Sequence, residues 1–310
     1  MKTLQIVRAD DMGMCFGVRD ALQITKEVAD PTKVTIHGEL VHNPTVISQL
    51  GDAGFHQVSE QQRESIPSTP LVLITAHGVS QKERRRLQEG GKQLIDTTCP
   101  LVMRVHDAAM ALAAKGRHVL LIGKPGHVEV QGIVEDLESC DVVPDVASVR
   151  CYEKDSLGLV CQTTMPSEIV KEVRDEVQRL NPDCDIKFVD TVCHPTKRRQ
   201  RAMLDLIGRV DAVVVVGGRN SNNTRRLAEL CQKHDVPSLH VTCAAEVDAA
   251  WVKKNASRSI GLTAGTSTLD ATINEVHLRL QVIAAELSGN KPTAELKGNP
   301  TSSVPPVVKK

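Results

Sequence analysis

The sequence predicts an α/β fold of three similar lobes, and three observations carry that expectation. First, an apolar run ending near an acid is followed by a cysteine and then a helical pattern three times, at Cys15, Cys99 and Cys193. Second, these cysteines lie 84 and 94 residues apart, a period that suits a small α/β unit and is too long for a solenoid repeat. Third, short apolar segments that end in polar loops alternate with helical patterns along most of the chain. That is the order of a parallel sheet covered on both faces.

The first lobe is expected over residues 1–98, including the N-terminal strand. Leu4 to Val7 form its first apolar run, Asp10 and Asp11 follow, and Cys15 precedes a helical stretch from about Val18 to Ala29 that Pro31 closes. Val34 to Ile36 then run into HGELVHNP, and Leu71 to Thr75 into AHGVS. The second lobe is expected over residues 99–192. Gln93 to Ile95 end in Asp96 and two threonines before Cys99; Pro100 suits a first helical position, and Leu101, Val102, Val105, Ala109 and Leu112 keep helical spacing until Gly116. Val119 to Ile122 run into GKPGHVEVQG, and Gly158 to Cys161 into QTTMPS. The third lobe is expected over residues 193–287. Ile186 to Val189 lead to Asp190, Cys193 and a basic helix, Ala212 to Val216 run into GGRNSNNT, and Ile260 to Thr263 into AGTSTLD. Helical patterns follow at Thr224 to His234 and Leu269 to Leu287. Residues 288–310, rich in Pro, Gly, Ser and Lys without apolar period, are expected to be a disordered tail.

Composition narrows the function classes. Hydrophobic residues make up 41% of the 310 and charges 25%, as in an ordinary globular protein, while aromatics at 2% require an aliphatic core. Lys plus Arg equals Asp plus Glu at 38 each, so no basic surplus points to nucleic acid or an anionic membrane. No segment suits a signal peptide or a spanning helix, and a cytoplasmic location is expected. Structural disulfides are not expected there, so Cys140, Cys151, Cys161, Cys184, Cys231 and Cys243 are read as small buried hydrophobes.

The other three cysteines share a chemical setting. A thiol at a helix N-terminus feels a dipole that favours the thiolate, the form that binds metals. In a doubly wound fold the strand-end loops of all three lobes could face one central cleft. Three thiolates there could hold a 4Fe-4S cluster and leave one iron open to substrate. They could also serve a zinc hydrolase together with a histidine, or an iron-sulfur redox sensor. His127 and Glu129, two apart in a loop flanked by glycines, would face the same way if extended, one donating to an anion and the other carrying a proton. His42, His77, Ser221, Asn222, Asn223 and Ser267 lie at strand ends or helix starts, where hydroxyls, amides and backbone N–H groups suit a small phosphorylated ligand. Neither a Walker A loop nor a G-x-G-x-x-G loop follows a strand, so a nucleotide is not indicated.

The set CFGV (15–18), LVHNP (40–44), TAHGVS (75–80), DTTCPLV (96–102), GHVEVQG (126–132), QTT (162–164), C-H-P-T-x-x-R-Q (193–200), NSNNT (220–224) and TAGTS (263–267) resembles the 4-hydroxy-3-methylbut-2-enyl diphosphate reductases, in order and spacing over residues 4 to 285. The resemblance implies a three-lobed α/β trefoil around a central iron-sulfur cluster, one 4Fe-4S cluster held by Cys15, Cys99 and Cys193. It implies reduction of an allylic diphosphate to isopentenyl and dimethylallyl diphosphates, the last step of the non-mevalonate isoprenoid pathway. Carried over by residue, it implies Glu129 as proton donor, Thr163 and His127 beside the substrate hydroxyl, and His42, His77, Ser221, Asn222, Asn223 and Ser267 as the diphosphate pocket. Reduced ferredoxin or flavodoxin is the expected electron donor, and the basic run Lys197 to Arg201 is a candidate docking face. Four positions depart from the commoner pattern: Phe16 and Pro195 stand where alanine is usual, Val128 where proline is frequent, and Asn222 where serine is frequent.

Overall fold

The computed structural model describes residues 4–289; of the expected tail, Ser288 caps the last helix, Gly289 follows, and the remainder lies outside the described residues. In chain order the elements begin with β1 (Gln5–Arg8), α1 (Phe16–Lys26), β2 (Val34–His37), α2 (Pro44–Asp52), β3 (His56–Val58), β4 (Leu71–Ile74), α3 (Gln81–Glu89) and β5 (Gln93–Asp96). They continue with α4 (Pro100–Ala113), β6 (His118–Ile122), α5 (Val128–Val134), β7 (Cys140–Val143), β8 (Ser156–Cys161), α6 (Ser167–Leu180) and β9 (Asp185–Phe188). The last group is α7 (His194–Ile207), β10 (Ala212–Val216), α8 (Asn222–Lys233), β11 (Ser238–Val241), α9 (Ala249–Asn255), β12 (Ser259–Ala264) and α10 (Asp270–Leu287).

The strands form three separate four-stranded sheets, each wholly parallel, in the orders β3-β2-β4-β5, β7-β6-β8-β9 and β11-β10-β12-β1. The three orders are equivalent. In each, the strand that precedes a cysteine helix lies at the sheet edge: β5 before Cys99, β9 before Cys193 and β1 before Cys15. The N-terminal strand therefore does not belong to the first lobe, as the sequence suggests, but pairs with β12 of the third in the register Gln5 with Ser259 to Arg8 with Leu262. β1 thus completes the third sheet as its edge strand, in the place that β5 and β9 take in the other two.

Helices cover both faces of every sheet, which is why the central strands are buried throughout; Val213 to Val216 and Val119 to Ile122 are wholly so. Below the third sheet Leu206, Met203 and Leu227 pack on Val213 and Val215; above it Val276, Leu280 and Ile283 pack on Val214, Val216 and Leu262. Each such side chain contributes about 1.5–3 kcal/mol by leaving water. An aspartate at Val214 would bury an unpaired charge between two helices and unfold that lobe.

Three strands were not expected from the sequence. β3, β7 and β11 read HQV, CDVV and SLHV, are half-exposed edges, and lack the continuous apolar run of buried parallel strands. The stretch GHVEVQG is likewise no extended loop: His127 caps α5, its Nδ1 3.2 Å from the Glu129 amide, and the helix continues to Val134. Gly132 lets α5 approach the loop after β4 closely, since a Cβ there would lie 3.3 Å from the Val79 backbone. Among the cysteines read as buried, Cys161 and Cys231 are so, Cys140 and Cys184 are partly covered, and Cys151 and Cys243 are exposed on connecting loops.

Candidate active site

Each cysteine is fixed by the same backbone contact. The amide of Cys15 donates to the Thr266 carbonyl, that of Cys99 to Ala76 and that of Cys193 to Thr163, all at 3.0 Å. Each accepting carbonyl lies in the loop after a central strand, so the three sheets deliver three thiols to one place. All three cysteines are the N-caps of their helices, α1, α4 and α7. They line a chamber of about 90 Å³ together with every other residue expected to act on or bind the substrate: Glu129, Thr163, His42, His77, His127, Ser221, Asn222, Asn223 and Ser267.

Burial modifies one expectation. The helix starts alone do not make ready thiolates: desolvation raises the Cys99 thiol and pushes Cys193 up to about 11, although the Thr196 hydroxyl, 3.1 Å from Cys193 Sγ, opposes this. A bound cation would have to displace those protons. The surroundings fit a thiolate-bound cluster. A Cβ at Gly17 would collide with Cys99 Sγ, so only glycine leaves the first turn of α1 clear of that thiol. Among the described residues no three His, Cys, Asp or Glu side chains close on a single ion; the thiols stand on three helix starts around a chamber whose apolar lining includes Val18, Val41, Ala76 and Leu101.

Glu129 lies in the first turn of α5 and is 2% exposed. Thr163 supplies both its partners, the amide at 2.7 Å to Oε1 and the hydroxyl at 2.8 Å to Oε2. Burial nevertheless outweighs these bonds and pushes the carboxyl up to about 7, so near neutral pH it can hold a proton and release it.

Three histidine rings form the far wall. His42 stacks on His77 with centroids 4.3 Å apart, and His127 meets both edge-on at 5.6 and 5.8 Å. Desolvation and the neighbouring histidines hold His77 well below its ordinary value, and His127 falls to about 3, so both are neutral. His42 Nδ1 is 2.8 Å from Glu39. Ser221 caps α8 through the Thr224 amide, Asn222 donates to Thr164, Asn223 accepts the Thr266 amide, and Ser267 donates to the His42 carbonyl. His77 Nδ1 and Asn223 Nδ2 are buried without a partner among the described residues. Neutral donors, orphaned nitrogens and the start of α8 together favour an anion.

The sequence alone assigns no role to Gly17, Thr164 or Thr196. Thr196 carried a usable signal, a hydroxyl residue three positions after a helix-capping cysteine. The basic run after Cys193 is mostly committed within the fold: Lys197 pairs with Asp190 at 2.6 Å, Arg198 and Arg199 pair with Asp11, and Arg199 is buried on the Gly13 carbonyl. Phe16 and His194, first residues of α1 and α7, stack at 5.6 Å, with Phe16 37% exposed.

The family profile described as LytB protein matches residues 6–281. This chain belongs to the LytB family. Among curated members, a 4-hydroxy-3-methylbut-2-enyl diphosphate reductase of Idiomarina loihiensis is 33% identical, covering 98% of each chain. One of Aquifex aeolicus is 32% identical over 90% of this chain and 97% of its own. Of solved structures, a (E)-4-hydroxy-3-methyl-but-2-enyl diphosphate reductase, described as the terminal enzyme of the non-mevalonate pathway, is 30% identical with a TM-score of 0.63, covering 90% of this chain and 99% of that one. A Plasmodium falciparum reductase shares the fold with a TM-score of 0.80 at 24% identity, covering 88% of this chain and 86% of that one. The LytB family thus has the three-lobed α/β architecture described above.

Proposed function

We propose that this chain reduces (E)-4-hydroxy-3-methylbut-2-enyl diphosphate to isopentenyl and dimethylallyl diphosphates, as the last step of the non-mevalonate isoprenoid pathway. The observation that carries this reading is Glu129, a buried acid poised near neutrality in the same chamber as three thiols and a wall of neutral donors. Cys15, Cys99 and Cys193 would hold one 4Fe-4S cluster, which when bound supplies electrons singly and an open iron position.

The chain's own residues do the rest. His42, His77, Ser221, Asn222, Asn223 and Ser267 bind the diphosphate and fix the distance of the far end of the substrate. Thr163 and His127 lie beside the terminal hydroxyl, and Thr163 orients the Glu129 carboxyl. Glu129 passes its proton to the hydroxyl oxygen as the carbon–oxygen bond breaks, so the oxygen leaves as water. With two electrons and a second proton delivered to the allylic carbon skeleton, the products balance. Apolar Val41, Ala76 and Leu101 limit water beside the acid.

Reduced ferredoxin or flavodoxin supplies the electrons. The exposed edge of Phe16 and Arg201, which forms no ion pair among the described residues, supports docking near the starts of α1 and α7. A cytoplasmic location is consistent with the described helices, none of which is long and apolar enough to cross a membrane. The test is consumption of the hydroxylated allylic diphosphate by anaerobically reconstituted protein with an artificial low-potential reductant. Formation of both five-carbon diphosphates supports the reading; intact substrate with a loaded cluster refutes it.

A further inference from the structure

A second cavity, of about 540 Å³, shares His42 and His127 with the central chamber and draws its walls from all three lobes. Its two sides differ in charge. On the first-lobe side the carboxylates are engaged: Glu39 bonds His42 at 2.8 Å, and Glu60 takes the Glu39 amide at 3.1 Å and pairs with Arg63 at 2.6 Å. Opposite stand Lys124, in the loop after β6, and Arg225, in the first turn of α8. Neither has an ion pair among the described residues, and Arg225 keeps a buried Nε without a partner there. The neighbouring Arg226 is taken by Glu229 at 2.6 Å. Desolvation, then the charges of Arg225 and Arg226, hold the Lys124 amine below its ordinary value. The two cations come from different lobes, are unpaired and repel across the cavity, and an anion between them relieves that repulsion.

We propose that this cavity is the entry site for the diphosphate, captured by Lys124 and Arg225 before it passes His42 and His127 into the chamber. The proposal rests on the diphosphate reading given above and adds the part that neutral donors cannot perform. The inner pocket is lined by hydroxyls, amides and the neutral His77 and His127, which hold an anion at contact but exert little pull at a distance. Cations lining a low-dielectric mouth raise the local anion concentration and the association rate, an effect of about 10-fold to 1000-fold that salt screens. Because Lys124 and Arg225 come from the second and third lobes, an anion between them is also held at the lobe junction.

The experiment compares wild type, Lys124→Gln, Arg225→Gln, the double variant and the charge-restoring Arg225→Lys, all loaded with cluster. Inorganic pyrophosphate is the probe, and its association rate is followed by stopped flow at low and high salt; kcat and kcat/KM are measured alongside. The proposal expects the double variant to associate about 10-fold more slowly at low salt, with a flattened salt dependence and kcat within about twofold of wild type. Arg225→Lys should recover most of the rate. Equal association rates and salt slopes in wild type and double variant overturn the entry site and leave the inner pocket intact. Failure of wild type to bind pyrophosphate at any salt overturns the diphosphate reading itself, and the entry site with it.

Discussion

Thr163 holds Glu129 with both of its donors, at 2.7 and 2.8 Å, while its own carbonyl accepts the Cys193 amide at 3.0 Å. One residue thus fixes the proposed acid relative to a proposed cluster ligand. Replacing Glu129 by Gln keeps the shape and removes the transferable proton. Turnover should fall by about 10²–10⁴-fold with iron content unchanged. Unaltered turnover in a fully loaded variant would remove Glu129 from the mechanism.

Because the carboxyl must be protonated to act, and burial places it at about 7, kcat should decline as pH rises through that value. Thr163→Val deletes the hydroxyl bond that lowers the value, so its declining limb should shift to higher pH. A pH profile identical to wild type would contradict the coupling.

The same shift carries a stability consequence. The folded value of Glu129 lies above its ordinary 4.5, so its contribution is fully present below about 4.5 and is lost as pH rises through about 7. Glu129→Gln abolishes this titration. The Tm difference between variant and wild type should therefore grow in favour of the variant from pH 5 to pH 8, as thermal unfolding followed by circular dichroism would measure.

How much of this was legible in the sequence depends on how local each cause is. The cysteine helices were legible because an acid, a thiol and a helix start are written within a few residues, and Pro100 and Pro195 mark the first turns of α4 and α7. The buried strands were legible from runs such as Val213 to Val216. β3, β7 and β11 were not, because an edge strand of three or four residues is defined by its partner rather than by its own pattern. The placement of β1 depends on pairing with β12, some 250 residues away, which no local pattern encodes. The basicity of Cys193 followed burial rather than the helix start, and burial is a property of the assembled lobes.

Neutral His77, in the proposed diphosphate pocket, should gain proton affinity when an anion arrives beside it. Calorimetric titration of pyrophosphate in buffers of different ionisation heat should show net proton uptake near pH 6, and affinity should weaken as pH rises. His77→Asn should take up fewer protons under the same conditions. Buffer-independent heats for both proteins would show that His77 does not respond to the anion.

Gly17→Ala separates cluster binding from folding. Helix propensity favours alanine by about 1 kcal/mol, yet the added methyl meets Cys99 Sγ. Far-ultraviolet circular dichroism should stay native, while affinity for the reconstituted cluster falls by about 10-fold or more. Unchanged affinity would mean that Cys99 swings clear and that the tight approach of α1 is not required.

The central claim is that three lobes deliver three thiols to one redox-active site. Anaerobic reconstitution, iron and sulfide analysis, and assay with the hydroxylated allylic diphosphate and a low-potential reductant test it directly. The expected result is a brown protein with about four irons per chain that converts the substrate to both five-carbon diphosphates. A colourless protein that takes up neither iron nor sulfide would contradict it.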